Sequence, residues 1–201
     1  MIFSLILSLL ACNVEHLDST PDSSFVRSGD VIFQVSNSSQ APAVALASGS
    51  PVTHVGLISV EGGKVTVIEA VEPVREIPIK QFIDDGGLWG VYRLKEEPTA
   101  PAWSSRVIRA ARAMKGRHYD GLFQWDDQRI YCSELVWKAY RAAGIELVKP
   151  ERVGDLNLSL PPVQALIKRR VGDRKINLDE KIVTPGSLYE SDKLEMVLGF
   201  I

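Results

Sequence analysis

Short β-rich runs dominate the first half of the chain, and helical spacing dominates the second. Val31-Ile32-Phe33-Gln34-Val35 follows the break at Ser28-Gly29-Asp30 and reads as a strand. His54 to Val60 and Lys64 to Val71 are β-branched runs joined through Glu61-Gly62-Gly63, the pattern of a hairpin. Trp89 to Leu94 is a further strand, and Leu194 to Phe200 an edge strand. Ser38 to Ala47 is Ala-rich, with Ser38 or Ser39 placed to cap a short helix. Ser104 or Ser105 is placed to cap a helix carrying Val107, Ala110, Ala111 and Met114 and stopped by Gly116. Leu135, Val136, Ala139, Tyr140 and Ala143 recur at i, i+3, i+4 spacing and end at Gly144. Pro161 to Val171 is helical with proline in its first turn, and Glu76 to Phe82 reads as a turn and a short helix. Thr184-Pro185 opens the final segment. No internal repeat or βαβ alternation is visible. The pattern predicts an α+β domain in which an antiparallel sheet packs against helices.

Composition narrows the function classes. A chain of 201 residues with 45% hydrophobic and 24% charged positions is long enough for one domain with a real core. A net charge of -2, with no basic run interleaved with aromatics, argues against a nucleic-acid partner. Two cysteines make no disulfide framework, and three scattered histidines make no zinc cluster, so neither metal nor cofactor is expected. Ile2 to Ala11 is apolar apart from serine, too short to span a bilayer and right for a signal-peptide core. It ends Leu9-Leu10-Ala11-Cys12, which resembles a bacterial lipobox, although no Lys or Arg precedes it; an ordinary cleaved signal is the alternative. Residues 1–12 are therefore read as signal peptide and lipobox, 13–28 as a polar tether and 29–201 as the functional domain. This implies export to the cell envelope and membrane attachment through a lipid on Cys12.

Candidate chemistry centres on Cys132. It begins the helix that ends at Gly144, where free N–H groups and the macrodipole favour a thiolate. The competing reading is a buried cysteine acting as a small hydrophobe. His54 opens one strand of the hairpin, and Glu69 lies near the end of the other, flanked by Ile68 and Ala70. Neighbours on one face of a hairpin can touch, and a buried carboxylate needs a partner. Nucleophile, base and orienting carboxylate form the arrangement of a cysteine hydrolase. His118 is a competing base, although its place beside Tyr119 in an extended segment turns it the other way. Tyr119 is a candidate oxyanion donor beside the backbone N–H of Cys132.

Gly116-Arg117-His118-Tyr119 followed by Tyr131-Cys132-Ser133-Glu134-Leu135-Val136 resembles the nucleophile segment of NlpC-type cysteine peptidases. The histidine here precedes the cysteine, so the order is circularly permuted, as in the YiiX/YebB-like branch of that superfamily. The likeness extends over Gly29-Asp30-Val31, Ser36-Asn37-Ser38-Ser39-Gln40, Thr53-His54-Val55-Gly56, Glu69-Ala70-Val71 and Trp125-Asp126-Asp127. Tyr131 and Glu134 stand where the unpermuted peptidases carry Asp and Gly. The resemblance implies a permuted papain-like fold with Cys132 as nucleophile, His54 as base, Glu69 as orienting residue and Tyr119 on the oxyanion side. The resulting expectation is an exported thiol hydrolase that cleaves an amide in a peptide or muropeptide-like substrate. Two rivals stand beside it. One is a lipid acyltransferase or phospholipase of the lecithin:retinol acyltransferase type, to be recognised by a long apolar groove beside Cys132. The other is a non-catalytic module that binds a small molecule, peptide or lipid of the envelope.

Overall fold

A computed structural model describes residues 20–201. Cys12, His16 and the expected signal segment lie outside the described residues. Six antiparallel strands form the main sheet. They are β1 (Val31–Gln34), β2 (His54–Glu61), β3 (Lys64–Glu69), β4 (Arg75–Pro78), β5 (Trp89–Leu94) and β10 (Leu194–Gly199), in the order β10-β5-β1-β2-β3-β4. β1 is buried at all four positions, as expected of a central strand covered on both faces. The β2–β3 hairpin closes through Gly62 and Gly63 at φ 57° and 79°; a type I′ turn needs both positive values, and glycine adopts them without strain.

Alternation along the strands sorts the core into two layers. Val31, Phe33, Val55, Leu57 and Ile68 face helices α3 (Trp103–Arg112) and α4 (Cys132–Ala142), which contribute Val107, Ala111, Leu135 and Val136. Ile32, Ile58, Val67 and Val91 face the other way, towards Phe82 of α2 (Ile79–Asp84). Full burial of one such side chain stabilises by about 1.5–3 kcal/mol, so both layers hold the sheet.

Three local expectations miss because tertiary packing overrides local signals. Helix α3 starts at Trp103, ahead of Ser104 and Ser105, from Ala102 at φ 55° and with no side-chain cap. The Trp103 ring sets that start by packing beside Tyr140 and filling the space a Cβ on Gly29 would need, 3.0 Å away. Helix α1 (Ala41–Ser48) starts after Gln40 rather than at Ser38 or Ser39, with proline in its first turn and a side chain at Gln40 that caps nothing. The turn expected from Glu76 is partly strand β4, which completes the sheet edge before α2 begins.

Residues 20–28, the end of the segment read as a tether, are docked on the domain. Val26 is buried in the second layer. Buried Asp30 accepts from Arg93 Nε and Nη2 at 2.8 and 2.7 Å and from the Arg27 backbone N–H at 2.8 Å. The Tyr140 hydroxyl donates to the Gly29 carbonyl. Gly29-Asp30 is thus a structural anchor for this segment.

The remaining elements sit at one end of the sheet. A two-residue parallel pair joins β6 (His118–Tyr119) to β7 (Arg129–Ile130). β8 (Glu151–Arg152) pairs with β9 (Lys181–Ile182), and α5 (Pro161–Val171) packs on α1. The short helix α6 (Pro185–Tyr189) is capped by the Thr184 hydroxyl, which accepts from the Ser187 N–H at 2.9 Å. Among the described residues no helix is long and apolar enough to cross a membrane.

Candidate active site

Strand register decides how His54 and Glu69 meet. Gly56 stands opposite Glu69, so His54 is its diagonal neighbour on the same face of the hairpin. His54 Nε2 lies 2.6 Å from Glu69 Oε2. Its ring stacks on Phe82 with centroids 5.4 Å apart. Glu69 engages Nε2 and leaves Nδ1 outside that contact, and Cys132 lines the same cavity wall as His54. Burial disfavours a charged imidazole, but the hydrogen bonds and charges of Cys132 and Glu69 outweigh it and push His54 up to about 10. Burial opposes ionisation of Glu69 too, yet His54 and Arg75 hold its carboxyl below the usual range.

Arg75 is a member of this group that sequence reasoning did not single out. Its Nε donates to Glu69 Oε1 at 2.7 Å, and its Nη2 lies 3.3 Å from Asp85 Oδ2. The signal was available in the register, because β4 returns alongside β3 and sets Arg75 directly opposite Glu69.

Cys132 is the first residue of α4 and 6% exposed. The helix is locked from below. Buried Ser133 donates from Oγ to the Val183 carbonyl at 2.7 Å. Glu134 accepts from the Tyr131 N–H at 3.3 Å and lies 2.8 Å from Lys138 Nζ. Burial pushes the Glu134 carboxyl up to about 7, with Lys138 restraining the rise. Glu134, at the position where the unpermuted peptidases carry Gly, is therefore part of the helix start.

Tyr119 reaches the same centre through the β6–β7 pair, which sets it opposite Ile130, two residues before Cys132. Burial and the charge of Cys132 hold its phenol above the ordinary range. Its hydroxyl accepts from Gln40 Nε2 at 3.4 Å. His118 points elsewhere: its side chain is 78% exposed and its Nδ1 lies 2.6 Å from Glu72 Oε1. Glu72 also accepts the Tyr119 N–H at 2.9 Å, so it pins the β6 segment. The structure thus brings His54, Glu69, Cys132 and Tyr119 together and leaves His118 outside. Trp125 packs edge-on against Trp137 with centroids 5.1 Å apart, under Lys138 Nζ, and belongs to the scaffold.

A cavity of about 600 Å3 opens beside Cys132, His54 and Tyr119. Its far walls are α1 and α5 with the segment up to β9, and they present Val44, Ala47, Leu158, Val163, Leu166 and Ile182. Arg170, Arg174 and Lys175 also line it. The faces of α1 and α5 thus supply hydrocarbon, while the basic residues and Asn177 and Glu180 add polar positions to the lining.

Comparison with known proteins identifies the fold and family. The model of a family described as "Permuted papain-like amidase enzyme, YaeF/YiiX, C92 family" matches residues 25–198. The "Uncharacterized protein YiiX" of Escherichia coli (strain K12) is 37% identical over 174 residues, 85% of either chain. A crystal structure titled as metalloprotein yiiX from Escherichia coli O157:H7 matches with a TM-score of 0.83 and 36% identity. It covers 88% of this chain and 98% of that one. Among the described residues no group of three or more His, Cys, Asp or Glu side chains is placed to hold a metal ion. With the family model spanning the sheet, the Cys132 helix and the cavity walls, the chain belongs to the permuted papain-like amidases of the YaeF/YiiX, C92 family.

Proposed function

We propose that the protein is a thiol amidase that transfers the acyl half of its substrate to Cys132 and then to water. The carrying observation is the 2.6 Å contact of His54 with Glu69, at the cavity wall that Cys132 also lines. The scheme starts from Cys132 as thiolate beside His54 as imidazolium, the form in which a cysteine nucleophile reacts. Cys132 Sγ attacks the carbonyl carbon, and the carbonyl oxygen takes up the displaced electron pair. In this scheme the Cys132 backbone N–H and the Tyr119 hydroxyl donate to that oxygen. The imidazolium gives its proton to the departing amine, and a thioester remains. Neutral His54 then takes a proton from water as the water attacks the thioester. Collapse releases a carboxylic acid and restores the pair.

Apolar cavity walls support an apolar acyl group rather than a polar peptide on the Cys132 side. They also favour a second reading, in which the scissile bond is a lipid ester and the enzyme is of the acyltransferase or phospholipase kind. A series of anilides and matching esters with acyl chains lengthened from acetyl to dodecanoyl separates these readings. An amidase of apolar acyl groups should cleave the anilides with kcat/KM rising with chain length. Cleavage of esters alone would select the lipid reading, and preference for a polar peptide anilide would remove both. Export and attachment through Cys12 belong to the same proposal and rest on the N-terminal sequence.

A further inference from the structure

Arg170 and Gln40 form a chain of contacts behind Tyr119 that the acyl-transfer scheme does not use. Arg170, in the last turn of α5, donates from Nη1 to the Gly121 carbonyl at 2.5 Å and from Nη2 to Gln40 Oε1. Its guanidinium stands 6.0 Å from the centroid of the Tyr119 ring and 5.3 Å from that of Phe123. Gln40 Nε2, on the other end of the amide, donates to the Tyr119 hydroxyl at 3.4 Å.

The chemistry of a guanidinium makes this order directional. It carries five donors and no acceptor, so Gln40 can show it only the carbonyl oxygen. The amide orientation is then no longer free, and Nε2 must face Tyr119. The tyrosine oxygen becomes an acceptor, and its single proton is left to point at another group. Without Arg170, the amide could turn over, offer Oε1 to Tyr119 and draw that proton away from the site.

We infer that Arg170 and Gln40 are positioning residues that set the polarity of the Tyr119 hydroxyl, so that it donates to the oxyanion formed at Cys132. The inference rests on the acyl-transfer reading above. Gln40 supports it by what it does not do: as the N-cap residue of α1, it caps nothing and turns its amide into the site. Gly121 supports it as well. A Cβ there would stand 2.1 Å from Arg170 Nη1, so the residue two after Tyr119 leaves room for the guanidinium.

Two reactions of the full-length protein test this. Acylation of Cys132 by 4-nitrophenyl butanoate, read as the nitrophenolate burst, passes through an oxyanion. Alkylation by iodoacetamide consumes the same thiolate and forms none. Tyr119→Phe and Gln40→Glu, whose carboxylate would accept the tyrosine proton, should each slow acylation about 100-fold. Arg170→Met should slow it about tenfold, because the amide orientation is then unenforced. Alkylation should stay near the wild-type rate in all three. In a Tyr119→Phe background, Arg170→Met should cost acylation nothing further, a result that a merely structural role would not give. Where Arg170→Met folds poorly, Arg170→Lys, which keeps donors and no acceptor for Gln40, should acylate faster than Arg170→Met. Losses that add to that of Tyr119→Phe, equal slowing of alkylation, or full acylation rates in Gln40→Glu and Arg170→Met would overturn the inference. The underlying reading fails separately: Tyr119→Phe would then acylate at the wild-type rate, or Cys132 would react with neither reagent.

Discussion

On one side of Cys132, His54, Glu69 and Arg75 hang from three consecutive strands of one sheet and meet at 2.6 and 2.7 Å. On the other side, Tyr119, Gln40 and Arg170 come from a two-residue bridge, the start of α1 and the end of α5. Their contact at the hydroxyl is longer, 3.4 Å. The first group is held by strand register, with charges that need no substrate to find their partners. The second depends on segments that pack across the cavity, and its donor acts only when an oxyanion is present. An acid–base unit can be complete in the free protein, whereas an oxyanion donor tightens on its target during reaction.

Variants can separate the two sides, and the largest effect belongs to neither. Cys132→Ala removes the nucleophile both sides serve, and turnover of an acyl substrate should fall by about 10⁴-fold or more while thermal unfolding stays near wild type. Measurable turnover within tenfold of wild type would end the covalent scheme. Tyr119→Phe comes next, with kcat expected to fall by roughly 10²–10³-fold and KM little changed. A change in KM alone would make Tyr119 a binding residue and dissolve the contrast.

Glu69→Gln should be milder, lowering kcat by about 10- to 100-fold, because the residue orients and charges His54 without reacting. Its signature is a pH effect. The carboxylate is one of the influences that raise His54 to about 10, so its loss should lower the imidazole midpoint, as followed by NMR titration. Stability follows in sign. The contribution of His54 is full below its unfolded value of about 6.5 and is lost as pH rises through about 10; Glu69→Gln should end that window earlier on its alkaline side. An unmoved midpoint would separate Glu69 from His54. The smallest effect on chemistry should come from Asp30→Ala, far along the sheet. It leaves Arg93, whose side chain is 19% exposed, without its carboxylate, and should lower stability by roughly 2–4 kcal/mol in denaturant melts. The folded fraction should keep its rate; a lost rate would make the Gly29-Asp30 anchor part of the site.

The two sides also differed in how legible they were. The hairpin was visible in its β-branched runs and its Gly-Gly turn, so a contact between His54 and Glu69 could be anticipated from local pattern. Cys132 was visible as the start of a helix with a clear stop at Gly144. Arg75 was hidden because β4 read as a turn, and only the register placed it opposite Glu69. Gln40 was visible only as the end of a stretch that carries the family likeness and Arg170 not at all, since they are 130 positions apart and meet only when α1 and α5 pack together. Arg170 looked like one more cation in the basic last turn of its helix. The apolar cavity was equally invisible, because its walls are helix faces that read as ordinary core. Helix starts were missed at Ala102 and Gln40 for the same reason: contacts with distant residues, not local capping, settle them.

The central claim is that His54 maintains Cys132 as a reactive thiolate, and the pH dependence of Cys132 alkylation by iodoacetamide tests it most directly. At about pH 6 an ordinary cysteine, with a pKa near 8.5, is almost wholly protonated and reacts slowly. The account predicts fast alkylation of Cys132 there in the wild type, and loss of that low-pH reactivity in His54→Ala. A thiol that reacts only as pH approaches about 8.5, with the same profile in both proteins, would contradict it.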